Sequence, residues 1–241
     1  SPIFSDHIPK EDAIVVQRLR NEGAIIIGKT NTPEFGAGAS TFNQVFGCTR
    51  NPWNPERTSG GSTGGGASAL SSGMITIAEG SDLGGSLRIP ASFCGLVGLR
   101  PSPGLVPIHP TEWLWDDLSV SGPMARTAQD VALALEVMAG YDLRSPRSQS
   151  IQGRDFSHGI RNLKTDGLRF AYCPDVAGLG IDPGIGEVCR SAAQGLEMDG
   201  AYVEPIEVDF SVARKAFLHL RGVWMVTQMR GLMDRIEECG D

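Results

Sequence analysis

The pattern of apolar and polar residues near the start of the chain predicts a helix followed by a strand. Residues 10–23 place Ile14, Leu19 and neighbouring valines at helical spacing, and Gly23 is a residue type that commonly ends a helix. Residues 24–28 form an uninterrupted apolar run, which predicts a strand buried on both faces. Together the two segments predict one layer of an α/β fold.

A second apolar run lies between two glycine-rich turns in the middle of the chain. Residues 74–78 have the length and the isoleucine content of a buried strand, and they lead into the glycines before Ser86. Residues 63–72 are nearly all Gly, Ala and Ser, which lets a helix pack closely although each glycine costs roughly 1 kcal/mol. The pattern therefore sets two serines, Ser62 and Ser86, 24 residues apart and each in its own glycine-rich turn.

The turn around Ser86 has the composition of an oxyanion-binding site. Its glycines lack a Cβ, so the backbone N–H groups of Leu83, Gly84, Gly85 and Ser86 can converge on one point without steric hindrance. A serine at the end of a strand beside such donors is a candidate nucleophile. The competing interpretation is an ordinary β-turn serine.

The second half of the chain predicts further alternating elements. Thr127 and Asp130 predict the N-terminal cap of a core helix over residues 127–140, and the polar turn at 144–150 is a predicted internal boundary. The remaining predicted elements are strands at 168–173 and 202–208, a helix at 184–198 between them, and a long amphipathic helix at 213–238. The last helix either covers the sheet or forms a subunit contact, so a homodimer is one predicted arrangement.

Composition and charge narrow the class of protein. The 241 residues are 41% hydrophobic, enough for one large domain or most of one. The net charge of −7 without a basic run argues against nucleic acid as a partner, and the lack of an apolar run near 18 residues argues against a membrane span. Five widely spaced cysteines without metal-site spacing indicate reduced thiols, no bound metal and a cytoplasmic setting.

Two long motifs carry a resemblance to a known family. They read Gly60-Gly61-Ser62-Thr63-Gly64-Gly65 and, after the 24-residue step, Gly80-Ser81-Asp82-Leu83-Gly84-Gly85-Ser86-Leu87-Arg88-Ile89-Pro90-Ala91, followed by Ser92-Phe93-Cys94-Gly95-Leu96-Val97-Gly98-Leu99-Arg100-Pro101. The order and length of these motifs resemble the amidase signature family, whose enzymes hydrolyse amides with a Ser-Ser-Lys triad. The resemblance implies a mixed β-sheet flanked by helices, a small amide substrate and no cofactor, and the chain is interpreted as a partial domain of that fold spanning residues 1–241.

The resemblance also implies roles for individual residues. Ser86 corresponds to the acyl-enzyme nucleophile, and Ser62, after a cis peptide bond at Gly61, to the residue that passes its proton to a lysine. Asp82 and Arg88 match signature positions and are expected to pair and brace the turn, while Thr63 replaces the usual serine and is expected to keep its hydrogen bond. The small residues Gly36, Ala37 and Gly38 correspond to the wall of the acyl pocket, although glycines of a tight bend are an equal alternative.

The catalytic lysine is the missing part of the pattern. Lys29 is the only lysine near the motifs, but in the family the base comes from a segment further upstream. We therefore do not assign Lys29 to the triad and interpret the chain as a fragment that lacks the lysine segment and a C-terminal part.

Two short motifs point elsewhere and are rejected. Residues 23–30 fit the Gly-x-x-x-x-Gly-Lys-Thr pattern of a phosphate-binding loop, but apolar residues occupy the places where phosphate-facing amides belong. Residues 60–64 fit the Gly-x-Ser-x-Gly nucleophile elbow, but the preceding segment is polar and contains a proline, whereas an elbow follows a buried strand.

The resemblance leaves the reaction open among three alternatives. The first, which is our prediction, is a stand-alone amidase that transfers the acyl group of a linear carboxamide to water through an ester on Ser86. The second is the A subunit of a glutamine-dependent aminoacyl-tRNA amidotransferase, although the sequence Gly104-Leu105-Val106-Pro107 departs from the motif usual there. The third is a non-catalytic relative or an inert fragment.

Overall fold

The computed structural model describes residues 1–4, 6–176, 178 and 180–235 of the chain. These residues divide into two compact units, one formed by Ser1–Arg161 with the residues from Thr227 onward, and the other by Asn162–Val226. The polar turn at 144–150 lies within the first unit, where Arg144 pairs with Asp142 at 2.9 Å. The internal boundary expected at that turn stays a prediction.

The chain forms seven α-helices and seven short strands within the described residues. In order they are α1 (Ile14–Asn21), β1 (Phe42–Asn43), β2 (Gly47–Cys48), α2 (Gly64–Ser71), β3 (Ile77–Asp82), α3 (Arg88–Cys94), β4 (Val97–Gly98), β5 (Val120–Ala125), α4 (Ala128–Met138), α5 (Phe156–Arg161), β6 (Arg169–Tyr172), α6 (Pro183–Met198), β7 (Tyr202–Pro205) and α7 (Ala213–Met229). Single 3-10 turns occur at Pro2–Phe4 and Glu34–Gly36. The mixed α/β class expected from the sequence is confirmed.

The sheet that carries the serine motifs is antiparallel and has the strand order β3-β5-β4. Strand β3 pairs with β5 along its whole length, from Ile77 opposite Ala125 to Asp82 opposite Val120. The strand begins three residues later than the apolar run at 74–78 indicated and extends through the polar residues to Asp82. Its carboxyl end therefore lies four residues before Ser86.

Helix α2 packs against the rest of the first unit through its glycines. A Cβ on Gly66 would lie 3.1 Å from the Cβ of Ala78, and one on Gly65 would overlap the backbone of Asn31. Ala67 and Leu70 are buried on the same helix in one hydrophobic cluster with Leu87, Cys94 and Met124. The close approach predicted from the small-residue composition at 63–72 is therefore present.

A second hydrophobic cluster lies around helix α4. Thr127 caps the helix by accepting a hydrogen bond from the N–H of Asp130 at 3.1 Å, as the sequence predicts. Leu135 and Met138 on its inner face are buried with Val15 of α1. These contacts hold α1 against α4. The residues next to the serine motifs belong to the other cluster.

The strand expected at residues 24–28 is absent from the structure, and this prediction is wrong. Helix α1 ends where Gly23 takes a positive φ of 87° and the N–H of Ala24 bonds back to Leu19. The following residues are irregular, and Ile25 and Ile27 are 89% and 71% exposed. Within the part of the chain that the structure describes, no strand pairs with this segment, so its backbone has no ladder to join.

The second unit is a parallel βαβ element. Strand β6 pairs with β7 in parallel, Arg169 opposite Tyr202, and α6 connects them with Asp182 capping its first turn through Gly184 and Ile185. The two strands and α6 agree with the elements expected at 168–173, 184–198 and 202–208. Helix α7 begins at Ala213 as expected but ends at Met229, so the single helix expected over 213–238 is shorter than predicted. The expected end at 238 lies outside the described residues.

Among the described residues, no helix is both long and apolar enough to cross a bilayer, and no group of three His, Cys, Asp or Glu side chains is placed to hold a metal ion. The four described cysteines, Cys48, Cys94, Cys173 and Cys189, are free thiols. Cys239 lies outside the described residues.

Candidate functional site

Ser62 lies in a turn that two glycines make possible. Gly60 and Gly61 have φ values of 75° and 55°, the left-handed region that glycine enters without strain. Helix α2 begins two residues after Ser62, and the serine is 4% exposed. The polar segment before the turn contributes only an isolated bridge between Arg50 and Thr58, so no strand leads into it.

The cis peptide bond expected between Gly61 and Ser62 is not present, and this expectation is corrected. Among the described residues the cis bond precedes Pro110, and the bond after Gly61 is trans.

Ser86 occupies the connection between strand β3 and helix α3. The strand ends at Asp82, the helix begins at Arg88, and Gly85 between them has a φ of 113° that a residue with a side chain rarely adopts. Ser86 is half-buried in this connection.

The two serine turns touch each other. The N–H of Thr63 donates to the C=O of Ser86 at 3.3 Å, and a Cβ on Gly61 would lie 3.2 Å from the Cα of Ser86. Neither the Ser62 nor the Ser86 hydroxyl has a hydrogen-bond partner among the described residues. The fold therefore brings the two predicted serines into one site, and their catalytic roles stay a prediction.

The four backbone N–H groups expected to form an oxyanion hole are not equivalent. The N–H of Gly85 donates to Oδ1 of Asp82 at 2.8 Å, so it is not available to a ligand, and its inclusion in the predicted set is corrected. The N–H groups of Leu83, Gly84 and Ser86 have no partner in the described ranges. Three of the four predicted donors are thus without a partner among the described residues, and their role as an oxyanion hole stays a prediction.

Asp82 is the electrostatic centre of the Ser86 turn. Its side chain is fully buried and accepts hydrogen bonds from the N–H of Leu87 at 3.2 Å and from Nε and Nη2 of Arg88, both at 3.0 Å. Burial alone would raise the pKa of this carboxyl, but the bonds from Arg88, Gly85 and Leu87 lower it to about 2. The expected pair of Asp82 with Arg88 is therefore present, and the carboxylate is charged at neutral pH.

Thr63 stands at the start of helix α2 and faces strand β3. Its hydroxyl lies 3.5 Å from the C=O of Ser81, a long hydrogen bond, and its N–H makes the bond to Ser86. Gly80 of β3 runs so close that a Cβ there would overlap the Thr63 side chain. Thr63 keeps the hydrogen bond expected of a hydroxyl at this position.

The three small residues expected to line the acyl pocket lie before the hairpin of β1 and β2. Gly36 is exposed with a φ of 68°, and a Cβ on Gly38 would lie 2.9 Å from the Cβ of Pro33. The segment with Ala37 reaches the Ser62 turn through its next residue but one, Ala39, whose C=O accepts the Gly61 N–H at 2.9 Å. A tight bend explains the two glycines, and a substrate-binding role for all three residues stays a prediction.

Lys29 is exposed and irregular in conformation. Within the described residues, no hydrogen bond or ion pair joins it to Ser62 or Ser86. The exclusion of Lys29 from the triad stays a prediction.

Two residues that support the site were not identified from the sequence. Arg100 donates from Nη1 to Oδ1 of Asp82 at 3.2 Å and from Nη2 to the C=O of Leu118 at 3.0 Å, and Thr41 bonds the Ser62 turn. Arg100 is part of the quoted motif, but its partner is 18 residues away, and Thr41 lies 20 residues before Gly61. No local pattern marks contacts at such separations.

Comparison with known proteins identifies the family. A family model described as Amidase matches residues 1–235. The chain is 42% identical over 212 residues to the A subunit of the glutamyl-tRNA(Gln) amidotransferase of Carboxydothermus hydrogenoformans, an alignment that covers 86% of this chain and 43% of that protein. The chain thus spans less than half the length of this relative.

Solved structures give the same answer for the fold. A bacterial aryl acylamidase of the amidase signature enzymes superposes with a TM-score of 0.84 at 29% identity, covering 94% of this chain and 47% of that one. The A subunit of the glutamyl-tRNA(Gln) amidotransferase of Thermotoga maritima superposes with a TM-score of 0.79 at 32% identity, covering 99% and 57%. The chain therefore belongs to the amidase family, the amidase signature enzymes.

Proposed function

We propose that this chain is part of an enzyme that hydrolyses a linear carboxamide through an ester formed on Ser86. The observation that carries the proposal is the contact between the two serine turns, where Thr63 next to Ser62 donates to the C=O of Ser86 at 3.3 Å. The family supports an amide-cleaving reaction. The substrate itself, a small amide, is part of the proposal.

The proposed reaction begins with attack by Oγ of Ser86 on the amide carbon. The C–O bond forms, the hydroxyl proton passes to Ser62 and on to a base, and the carbonyl oxygen becomes an oxyanion near the free N–H groups of Leu83, Gly84 and Ser86. The C–N bond then breaks as the proton returns to the amine. Water cleaves the ester and restores the serine.

The Asp82 network supports this role because it fixes the backbone on which Ser86 stands. The carboxylate bonds the N–H groups of Gly85 and Leu87, which flank Ser86 in sequence, and Arg88 neutralises its charge. A donor array for an oxyanion is effective only when it is held in place before the reaction. The buried carboxylate of Asp82, paired with the partly exposed Arg88, supplies that rigidity.

A second candidate is the A subunit of a glutamine-dependent aminoacyl-tRNA amidotransferase. It is favoured by the name of the 42% identical relative, and it would require partner subunits. A non-catalytic relative is the third candidate, since neither serine hydroxyl has a partner within the described residues. A cytoplasmic location and a homodimer are further proposals, the first supported by the free thiols.

The full-length protein separates these candidates by its substrates. Release of aniline from acetanilide by the protein alone is expected from a stand-alone amidase, whereas an amidotransferase A subunit is expected to release ammonia from L-glutamine only when its partner subunits are added. Ser86→Ala is expected to abolish either activity, and Lys29→Ala to leave an appreciable fraction. No turnover of any carboxamide by the full-length protein would contradict the proposal, and equal losses in both variants would contradict the assignment of the triad.

A further inference from the structure

We propose that Thr41 is a positioning residue that orients Ser62, an inference that rests on the proposed function. Thr41 lies directly before strand β1 and is fully buried. Its Oγ1 donates to the C=O of Gly61 at 2.8 Å and accepts from the N–H of Gly64 at 3.0 Å. One hydroxyl therefore bonds both the peptide group before Ser62 and the peptide group after Thr63.

The bond to Gly61 has a direct effect on Ser62. The C=O of Gly61 and the N–H of Ser62 belong to one planar peptide group, so fixing the first fixes the plane from which the Ser62 side chain extends. Both glycines before Ser62 have positive φ, so the turn has wide conformational freedom without an external contact. The Thr41 hydroxyl supplies that contact from a distant part of the chain.

Thr41 is itself held in place by the hairpin of β1 and β2. Its C=O accepts the N–H of Thr49 at 2.9 Å, and the nearby Asn43 donates to the C=O of Thr32 at 2.7 Å. Ala39, two residues before Thr41, accepts the N–H of Gly61 at 2.9 Å. The hairpin and this short segment thus form a clamp on the Ser62 turn, and Thr41 is its buried side-chain contact.

The role predicts that the hydroxyl matters rather than the volume of the side chain. Thr41→Val keeps the shape but removes both the donor and the acceptor, whereas Thr41→Ser keeps the hydroxyl. Thr41→Val is expected to lower kcat for acetanilide about 10- to 100-fold with little change in KM, because a small misplacement of a proton-transfer group slows the chemistry. Thr41→Ser is expected to stay within about threefold of the wild type.

Ser145→Ala is the matched control for a buried hydroxyl. Ser145 is 6% exposed and accepts the N–H of Ile108 at 3.2 Å, but it contacts neither serine turn. Thermal unfolding of the full-length variants is measured alongside activity. A Ser145→Ala variant that loses stability but keeps activity, with Thr41→Val losing activity at a similar stability, supports the inference.

The rate at which a fluorophosphonate probe labels Ser86 provides a second measurement if Thr41→Val does not fold. Because Thr41 acts through Ser62, Thr41→Ala is expected to slow labelling in the wild-type background and to have no further effect in Ser62→Ala. Independent, multiplying losses in this cycle would overturn the inference. So would Thr41→Val activity within threefold of the wild type, or an equal loss in Thr41→Ser.

Labelling of the Ser86→Ala variant distinguishes failure of the Thr41 inference from failure of the proposed function. Labelling that persists in Ser86→Ala overturns the proposed function and the role of Thr41 with it. Labelling that is lost in Ser86→Ala but unchanged in the Thr41 variants overturns the role of Thr41 alone.

Discussion

Thr63 donates its backbone N–H to the C=O of Ser86 across 3.3 Å, and this bond joins two turns whose serines are 24 residues apart in the sequence. Helix α2 and strand β3 lie between the two turns, and together they bring the Ser86 turn back beside the Ser62 turn. A Cβ on Gly61 would lie 3.2 Å from the Cα of Ser86 and 2.6 Å from Cδ of Pro90, so a glycine at this position favours the close approach of the two turns. The site thus depends on backbone proximity before any side chain contributes.

Replacement of Gly61 is expected to disrupt the site far more than replacement of another glycine with positive φ. In Gly61→Ala the new Cβ would lie 2.6 Å from Cδ of Pro90, so the turns must separate, and we expect loss of activity with more than about 2 kcal/mol of stability. Gly73→Ala, at φ 72° with open space around it, is expected to cost about 1 kcal/mol and to keep activity. Urea unfolding measures the stability of the two variants, and acetanilide turnover measures their activity. Equal losses in Gly61→Ala and Gly73→Ala would refute the close contact.

Asp82 is expected to make stability depend on pH in the acid range. Its pKa in the folded chain, about 2, lies below the ordinary value of 3.8, so its stabilisation is complete above about pH 4 and is lost as the pH falls through 2. The shift corresponds to about 2 kcal/mol. Asp82→Asn is expected to remove this contribution to the pH dependence of the unfolding free energy. It is also expected to reduce activity at neutral pH.

Asp142→Asn is the control for the carboxylate. Hydrogen bonds from Arg144 also lower the pKa of Asp142 to about 2, but the residue contacts neither serine turn. It is expected to change the acid stability and to leave turnover unchanged. If Asp82→Asn keeps full activity, the carboxylate does not hold the Ser86 turn.

Arg18 is expected to contribute more to stability than its neighbour Arg20 on the same helix. The guanidinium of Arg18 donates to the C=O groups of Met138 at 2.8 Å and Ala139 at 2.6 Å, at the end of helix α4. Arg18→Met is expected to cost about 2 kcal/mol, because charged donors bond otherwise unpaired carbonyls there. Arg20 pairs with Asp12 on the surface, and Arg20→Met is expected to cost less than about 1 kcal/mol.

Chemical denaturation of the two arginine variants gives this comparison directly. Turnover is expected to be unchanged in both, since neither arginine contacts a serine turn. A loss in Arg20→Met as large as that in Arg18→Met would show that the helix-end contacts contribute nothing specific.

Local signals allowed the sequence to predict several elements. Helix α4 has a capping threonine and an apolar face, and helix α2 has small residues that tolerate close contact, so each element carries its own determinant. The pair of Asp82 and Arg88 was expected because both residues match signature positions of the resembled family, and the structure contains it. The resemblance, rather than periodicity, supplied the roles of Ser62 and Ser86.

Other features depend on contacts that the sequence does not encode locally. The apolar run at 24–28 predicted a strand, but a strand forms only when another strand pairs with it. The N–H of Gly85 was expected to face a ligand, and instead the buried carboxylate three residues earlier accepts it. Thr41 and Arg100 were missed because their partners are distant in sequence.

Reaction of the full-length protein with a fluorophosphonate tests the central claim most directly, with mass spectrometry of the digested protein to locate the adduct. The account predicts a single phosphonyl ester on Ser86, slower formation in Ser62→Ala, and no adduct after denaturation. An adduct on another serine, or labelling of Ser86 at the same rate without the Ser62 hydroxyl, would contradict it.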